Sequence, residues 1–395
     1  MPSTTASPTH AGFITGYAHD PFLRADPRSL EEMIVTVAQG ALAKAGLDAG
    51  DIDEIYLGHF NSGFTKQDFA ASLVMQADDA LRFRPATRVE NACATGSAAI
   101  QQALKTIRAG DAQHVLVVGV EKMSEVSGKE TGDILQHAAY QAEDGDIEAG
   151  FAGVFARIAQ HYFQRFGDQS EALARIASKN HTNGADNPFA QMRRAMTFEA
   201  CHQVSEKNPL VAPPLRRTDC SLVSDGAAAV VISKDMIDDQ PAIGFRAVHH
   251  VSDFLPMSKR DIVDFDGPTR AIHGVYEKAG ITVDDLSFAE VHDCFTIAEL
   301  MIYEAMGLAP KGKGADVLKT DRVYKTGSLP VNASGGLKSK GHPIGATGVS
   351  MHVIAAMQLL QEAGDMQLAK PELGLIFNMG GTGVANYASV VERTQ

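Results

Sequence analysis

The sequence predicts an α/β protein made of two related halves, with a long insertion in the first. Helix and strand patterns alternate along its 395 residues, as expected where helices pack on sheets. Some strand segments are apolar throughout, such as Ala227 to Ile232 (Ala-Ala-Ala-Val-Val-Ile), which places them in a sheet covered on both faces. Short motifs also recur in the same order in both parts of the chain.

Leu30 to Ala45 reads as an amphipathic helix stopped near Gly46, and Ile55 to Leu57 as a short strand. Ala94 to Arg108 is a second helix, ended by Gly110, and Val115 to Val120 a buried strand. Residues 121–220 are richer in Gln, His, Asn and charged side chains. They hold helix patterns at Gly153 to Phe166 and Glu171 to His181, with turn signals at Asn183-Gly184 and Pro213-Pro214. This stretch reads as an inserted loop domain over the sheets, where substrate contacts collect.

Ala45-Gly46-Leu47, followed by Asp51-Ile52 and a strand, recurs as Ala279-Gly280-Ile281, then Asp285-Leu286 and a strand. Ala94-Thr95-Gly96 opens the helix before Val115 to Val120, and Ala346-Thr347-Gly348 opens one before strand Leu373 to Phe377. The expected division is 1–120 with 221–265 for the first half, 121–220 for the insertion and 266–395 for the second half. A pseudo-twofold axis between the halves would let Cys93 and His342 meet.

The formal net charge is -13, which argues against nucleic acid as a partner. It still allows an anionic small ligand in a local basic pocket, for which Arg193-Arg194 and Arg216-Arg217 are candidates beside the plain reading as solvated surface. The cysteines are Cys93, Cys201, Cys220 and Cys294, with no C-x-x-C pair, so reduced thiols in a cytoplasmic setting are expected rather than zinc or a disulfide scaffold. Met1 to His10 is polar and lacks a signal-peptide core. No apolar run reaches the roughly 20 residues of a membrane helix, so no membrane association is expected.

Cys93 stands just before a helix, whose N-terminal N–H groups favour a thiolate; a buried structural cysteine is the alternative. His342 lies in the glycine-rich turn Gly341-His342-Pro343, where a fixed imidazole could take a thiol proton. His292 and Cys294 alternate along an extended segment and would share one face, with Asp293 on the other as a structural partner.

Together the segments Asn91-Ala92-Cys93-Ala94-Thr95-Gly96, Ser224-Asp225-Gly226-Ala227-Ala228, His292-Asp293-Cys294-Phe295 and Gly341-His342-Pro343-Ile344-Gly345-Ala346-Thr347-Gly348 resemble the thiolase family, over about Gly12 to Val391. The resemblance implies the thiolase fold, two similar halves in a five-layered α-β-α-β-α core with an inserted loop domain, assembled as a homodimer or tetramer. It implies Cys93 as acylated nucleophile and His342 as its base. Backbone N–H groups of Cys93 and Gly380 would form the oxyanion hole of the acyl-enzyme, and His342 with His292 the other.

Ser221 matches the serine that contacts the pantetheine arm, and Phe295 is a further expected substrate contact. Phe151, Ala152 and Phe155 fall where the family places its acyl pocket. Coenzyme A and acyl-CoA are implied as substrates in fatty acid metabolism, with no metal or other cofactor required. At this length, no room is expected for an appended lipid-carrier domain.

Two departures matter. His292-Asp293-Cys294-Phe295 replaces the usual asparagine-glutamate-alanine-phenylalanine motif, and Asn378 stands where the usual second cysteine would be. An amide is no acid/base at neutral pH, so the acid/base role passes to Cys294, similar to thiolases of the sterol-carrier-protein type. A Claisen-type CoA synthase and a degenerate acyl-CoA binder or scaffold are the alternatives.

Overall fold

Strand β1 (Phe13–His19) leads to helix α1 (Leu30–Ala45), which begins at a capping box between Ser29 and Glu32 and ends at Gly46 with φ 66°. Its buried stripe of Leu30, Met33, Ile34, Val37 and Ala41 has the spacing of one helical face. Then follow β2 (Glu54–Gly58), α2 (Ala70–Leu73), β3 (Ala86–Val89), α3 (Thr95–Ala109) and β4 (His114–Glu121). The computed structural model describes residues 10–237 and 240–394, so the reading of Met1 to His10 lies outside them except at His10.

The insertion carries α4 (Gly128–Gln136), α5 (Gln141–Asp144), α6 (Gly150–Phe166), α7 (Ser170–Ala185) and α8 (Phe198–His202). A hairpin of β5 (Leu210–Ala212) and β6 (Leu215–Arg216), turning at Pro213-Pro214, completes it before β7 (Gly226–Ser233). One local signal failed: Asn183-Gly184 is not a turn but the last turn of α7. Gly184 abuts Ser339 so closely that a Cβ would sit 2.2 Å from its Oγ, and Asn183 Nδ2 donates to Asn332 O at 3.0 Å. These tertiary contacts override the turn propensity of the dipeptide.

The rest of the chain forms β8 (Ala242–Ser252), α9 (Asp266–Ala279), β9 (Phe288–Val291), α10 (Thr296–Ala305), α11 (Gly314–Val317), α12 (Gly336–Lys340), α13 (Ile344–Leu359), β10 (Leu373–Gly380) and β11 (Ala385–Thr394). The nine-stranded sheet runs β3-β2-β4-β7-β1-β8-β11-β10-β9. Outward from its middle, β1-β7-β4-β2-β3 on one side repeats as β8-β11-β10-β9 on the other, where a parallel bridge from Ala289 to Val331 takes the place of β3.

Pairing senses repeat as well, antiparallel for β1/β7, β4/β7, β8/β11 and β10/β11, and parallel for β2/β4 and β9/β10. The equivalent strands β1 and β8 meet antiparallel, Phe13 opposite Gly244 and Ile14 opposite Ile243, as an approximate twofold axis requires. This corrects one boundary. β8, assigned by sequence to the first half through residue 265, occupies in the second half the place that β1 holds in the first.

Helices α3 and α13 form the middle layer. They pack on each other, α3 against β2 and β4, and α13 against β4 and β7 on one side and β10 on the other. α1 covers the outer face of the first half-sheet and α9 that of the second. All of α13 but Met357 is buried, which explains its apolar sequence all round. The crossing of α3 and α13 is made by glycines. A Cβ on Gly96 would lie 2.6 Å from Val349 N, and one on Gly348 would lie 2.2 Å from Ser97 N. No helix among the described residues is long and apolar enough to cross a membrane.

The crossing predicts that Gly96→Ala destabilises the protein by about 2–3 kcal/mol, because backbone rather than a flexible side chain blocks the added methyl. Gly132→Ala, where a Cβ would meet nothing within 4 Å, should instead stabilise by about 0.5–1 kcal/mol. Thermal melts of both variants check this; equal effects would remove the crossing as the cause.

Candidate active site

Cys93 sits in a tight turn between β3 and α3. Ala92 adopts φ 48°, a left-handed conformation that costs a non-glycine residue energy and is found where a side chain must be aimed. Thr95 holds the turn by accepting from Asn91 N–H at 2.8 Å and donating to Ala92 O at 2.6 Å. His342 sits before α13, the partner of α3 at the crossing. Its N–H donates to Leu222 O and Ser224 Oγ, both at 3.1 Å, which ties the turn to the Ser224-Asp225-Gly226 segment. His292 follows the last residue of β9.

These three come together. The Cys93 sulfur and a ring nitrogen of each histidine lie within 4.8 Å of one another, all buried. The imidazoles stand edge to face, 5.1 Å between centroids at 81°. Cys93 and His342 retain 6% and 7% exposure while His292 has none, so Cys93 and His342 line the open side of the cluster.

Hydrogen bonding fixes the protonation of His342. Thr347 Oγ1 donates its single hydrogen to Pro343 O at 2.9 Å, so at 2.7 Å it accepts from His342 Nδ1–H. Nε2 therefore carries the lone pair, and it has no partner in the protein. Burial pushes His342 down to about 3, with Lys340 contributing, so the ring is neutral and able to take a proton. Burial likewise holds His292 well below its ordinary value, with His342 adding to the effect.

The thiols differ from expectation. Burial pushes Cys93 up to about 12, although the Gly381 N–H and its own N–H act against that rise. The α3 N-terminus thus does not make a resting thiolate, because desolvation outweighs the helix end. The donor at the sulfur is Gly381 N–H, and Gly380 lets β10 approach the turn, since a Cβ there would lie 2.5 Å from Asn91 O. Cys294 is raised well above its ordinary value by burial, and the Cys93 sulfur adds to the rise, making the two thiols electrostatic neighbours. Extended structure ends at Val291, so Cys294 lies in the bend before α10, and its carbonyl accepts from Ser221 N–H at 2.9 Å.

Other expected residues fall as follows. Ser221 is half-buried beside Cys294. Phe295 is buried and stacks on Phe155, 4.5 Å between centroids, with Phe151 packed on Phe155 in turn. Ala152 is half-buried on the same helix, α6. Arg216 is no ligand pocket: it is buried against Asp219 at 2.8 Å and donates to His202 O and Ser170 O. Arg193, Arg194 and Arg217 are exposed. All four cysteines are free.

Buried carboxylates frame the site. Asp293 accepts from Leu337 N–H at 2.6 Å, Lys338 N–H at 3.2 Å and Asn180 Nδ2 at 2.7 Å, the structural role expected of it. Burial and the neighbouring Glu299 raise it to about 7. Glu121 accepts from the N–H groups of Phe60, Asn61 and Gly345, each at 3.0 Å. Asp225 accepts from those of Asp26, Met123 and Ser124 at 2.7–2.9 Å. Sequence reasoning missed the roles of Glu121 and Thr347; an acid closing the apolar run Val115 to Val120 was the available signal.

A neutral, buried Cys93 predicts that alkylation by iodoacetamide accelerates about tenfold per pH unit between about pH 7 and pH 10, with no plateau near an ordinary thiol pKa of about 8.5. The rate measured against pH on the free protein, with Cys93→Ala as blank, checks this. A plateau below about pH 9 would mean that the thiolate forms readily without substrate.

Comparison with known proteins identifies the family. The thiolase N-terminal domain profile matches residues 24–236 and the thiolase C-terminal domain-like profile residues 250–393. A protein named acetyl-CoA acetyltransferase from Methanothermobacter thermautotrophicus is 35% identical over 361 residues, 90% of this chain and 92% of that protein. Sterol carrier protein 2 of Oryctolagus cuniculus is 29% identical over 393 residues, 94% of this chain and 70% of that protein. Human mitochondrial 3-ketoacyl-CoA thiolase, solved in complex with CoA, shares the fold with a TM-score of 0.73 at 17% identity, covering 98% of this chain and 99% of that one. By its domains, its fold and its relatives, the chain belongs to the thiolase family and is an acyltransferase.

Proposed function

We propose that the protein is a coenzyme A thiolase working by ping-pong acyl transfer through a Cys93 thioester. The observation that carries this is the buried set of Cys93, His342 and His292 at the meeting of the α3 and α13 N-termini. As the Cys93 sulfur attacks the 3-keto carbon of a 3-ketoacyl-CoA, its proton passes to His342 Nε2. The bond between the α- and β-carbons breaks, and its electron pair forms the enolate of acetyl-CoA, stabilised by protonated His342 and by His292. Cys294 donates its thiol proton to that α-carbon.

Coenzyme A thiol then gives its proton to the Cys294 thiolate and attacks the Cys93 thioester. Cys93 departs as thiolate and recovers its proton from His342. In reverse, two acetyl-CoA molecules condense and Cys294 removes the α-proton. Pre-set donors in a dry site favour charge that develops during reaction over charge present at rest, in keeping with two neutral thiols. No cofactor beyond coenzyme A is needed, and a homodimer or tetramer is the proposed assembly.

The two cysteines should separate experimentally. Cys93→Ala should give no acyl-enzyme by mass spectrometry with acetyl-CoA. Cys294→Ala should still acetylate Cys93 from acetyl-CoA, yet lose thiolysis of acetoacetyl-CoA by about 10²–10⁴-fold, the usual worth of a general acid/base. Undiminished thiolysis would refute the role of Cys294, and acyl-enzyme in Cys93→Ala that of the nucleophile.

A further inference from the structure

We infer that Asn378 is a positioning residue whose amide fixes the tautomer of His292, so that Nε2 carries the proton and points a donor at the reacting oxygen. This gives Asn378 a task of its own, beyond standing where a second cysteine is usual. Asn378 lies on β10 and is wholly buried. Its Nδ2 donates to Cys93 O at 3.0 Å and lies 2.9 Å from His292 Nδ1.

The orientation of this amide follows from its partners. A peptide carbonyl only accepts, so the nitrogen end must face Cys93. Turned the other way, Oδ1 would oppose the Cys93 carbonyl oxygen in a dry interior and leave that carbonyl without a donor. With the nitrogen so placed, its second hydrogen meets His292 Nδ1, which must then be the unprotonated nitrogen. The amide oxygen lies by α13, where a Cβ on Gly348 would come within 2.5 Å of it. The glycine at the helix crossing thus also makes room for the amide.

His292 is neutral through burial and holds one ring proton, which this bond assigns to Nε2. That atom has no partner in the protein. The tautomer is set through the far nitrogen, as in other histidine sites. Thr347 does the reverse to His342 by accepting from Nδ1–H. Two adjacent imidazoles are thereby held in opposite states by partners that do not titrate, one presenting a lone pair to the thiol and the other an N–H to an oxyanion.

The same bond bears on metals. A thiol and two imidazoles within 4.8 Å of one another match a zinc site by residue type. A His292 Nε2 that keeps its proton has no lone pair to give, and moving that proton to Nδ1 would aim it at the Asn378 amide hydrogens. Asn378 therefore keeps the cluster for proton and acyl chemistry.

The kinetic part of this inference rests on the proposed acyl transfer; the tautomer does not. The test is ¹⁵N NMR of protein labelled at histidine nitrogens, with His292→Gln to identify the signal. Wild type should show His292 protonated at Nε2 and bare at Nδ1. Asn378→Leu should show a mixture, with kcat for acetoacetyl-CoA thiolysis lowered about 10–100-fold, approaching the loss of an oxyanion donor, and KM within about threefold.

Wild type protonated at Nδ1, or Asn378→Leu keeping both tautomer and kcat, would overturn the inference. Should that variant not fold, the wild-type spectrum alone decides. An Nε2–H signal in a protein without thiolysis would uphold the tautomer and refute the proposed function.

Discussion

The contact between Gly96 and Gly348 is the constraint on which the rest depends. Helices pack at 8–10 Å when side chains separate them; here backbone lies against backbone, with no space for even one methyl on either helix. That approach sets the N-termini of α3 and α13 side by side. Cys93 precedes one and His342 the other, and their mutual distance follows from the crossing rather than from any bond between them. The Ala-Thr-Gly repeated at 94–96 and 346–348 is thus one contact counted from its two sides, made self-complementary by the approximate twofold axis.

A close helix crossing fixes axes, not loops. The loops are held by carboxylates without exposure, Glu121, Asp225 and Asp293, each accepting two or more backbone N–H groups. Charge-assisted bonds of this kind are short and strong, and they remain favourable in the interior only when the acceptor is saturated. Glu121 spans both halves, binding the segment after β2 and the start of α13. Cys93, Cys294, His292 and His342 lie inside this frame and are kept uncharged by the same dryness. Desolvation disfavours a resting thiolate–imidazolium pair, and the low dielectric strengthens every donor that meets charge as it forms.

Much of this was legible in sequence where local chemistry dictates it. α1 starts and stops where Ser29, Glu32 and Gly46 cap it. The strands Val115 to Val120 and Ala227 to Ile232 lie inside β4 and β7, each one residue longer at both ends. Asn183-Gly184 misled because its neighbours across the fold outweigh its turn propensity. The α3 helix end misled about Cys93 for a related reason: a helix terminus is read from sequence, whereas desolvation depends on everything packed around the sulfur.

By itself the sequence determined membership and element order, and singled out Cys93, His292, Cys294 and His342, because those readings rest on residue type and spacing. Only the tertiary structure decided how the groups are protonated. Neutral thiols follow from burial, and the two histidine states follow from single hydrogen bonds to Thr347 and Asn378. Asn378 lies 86 positions from His292 and 285 from Cys93. No local pattern encodes such a bond, since it exists only where β9, β10 and the turn before α3 converge.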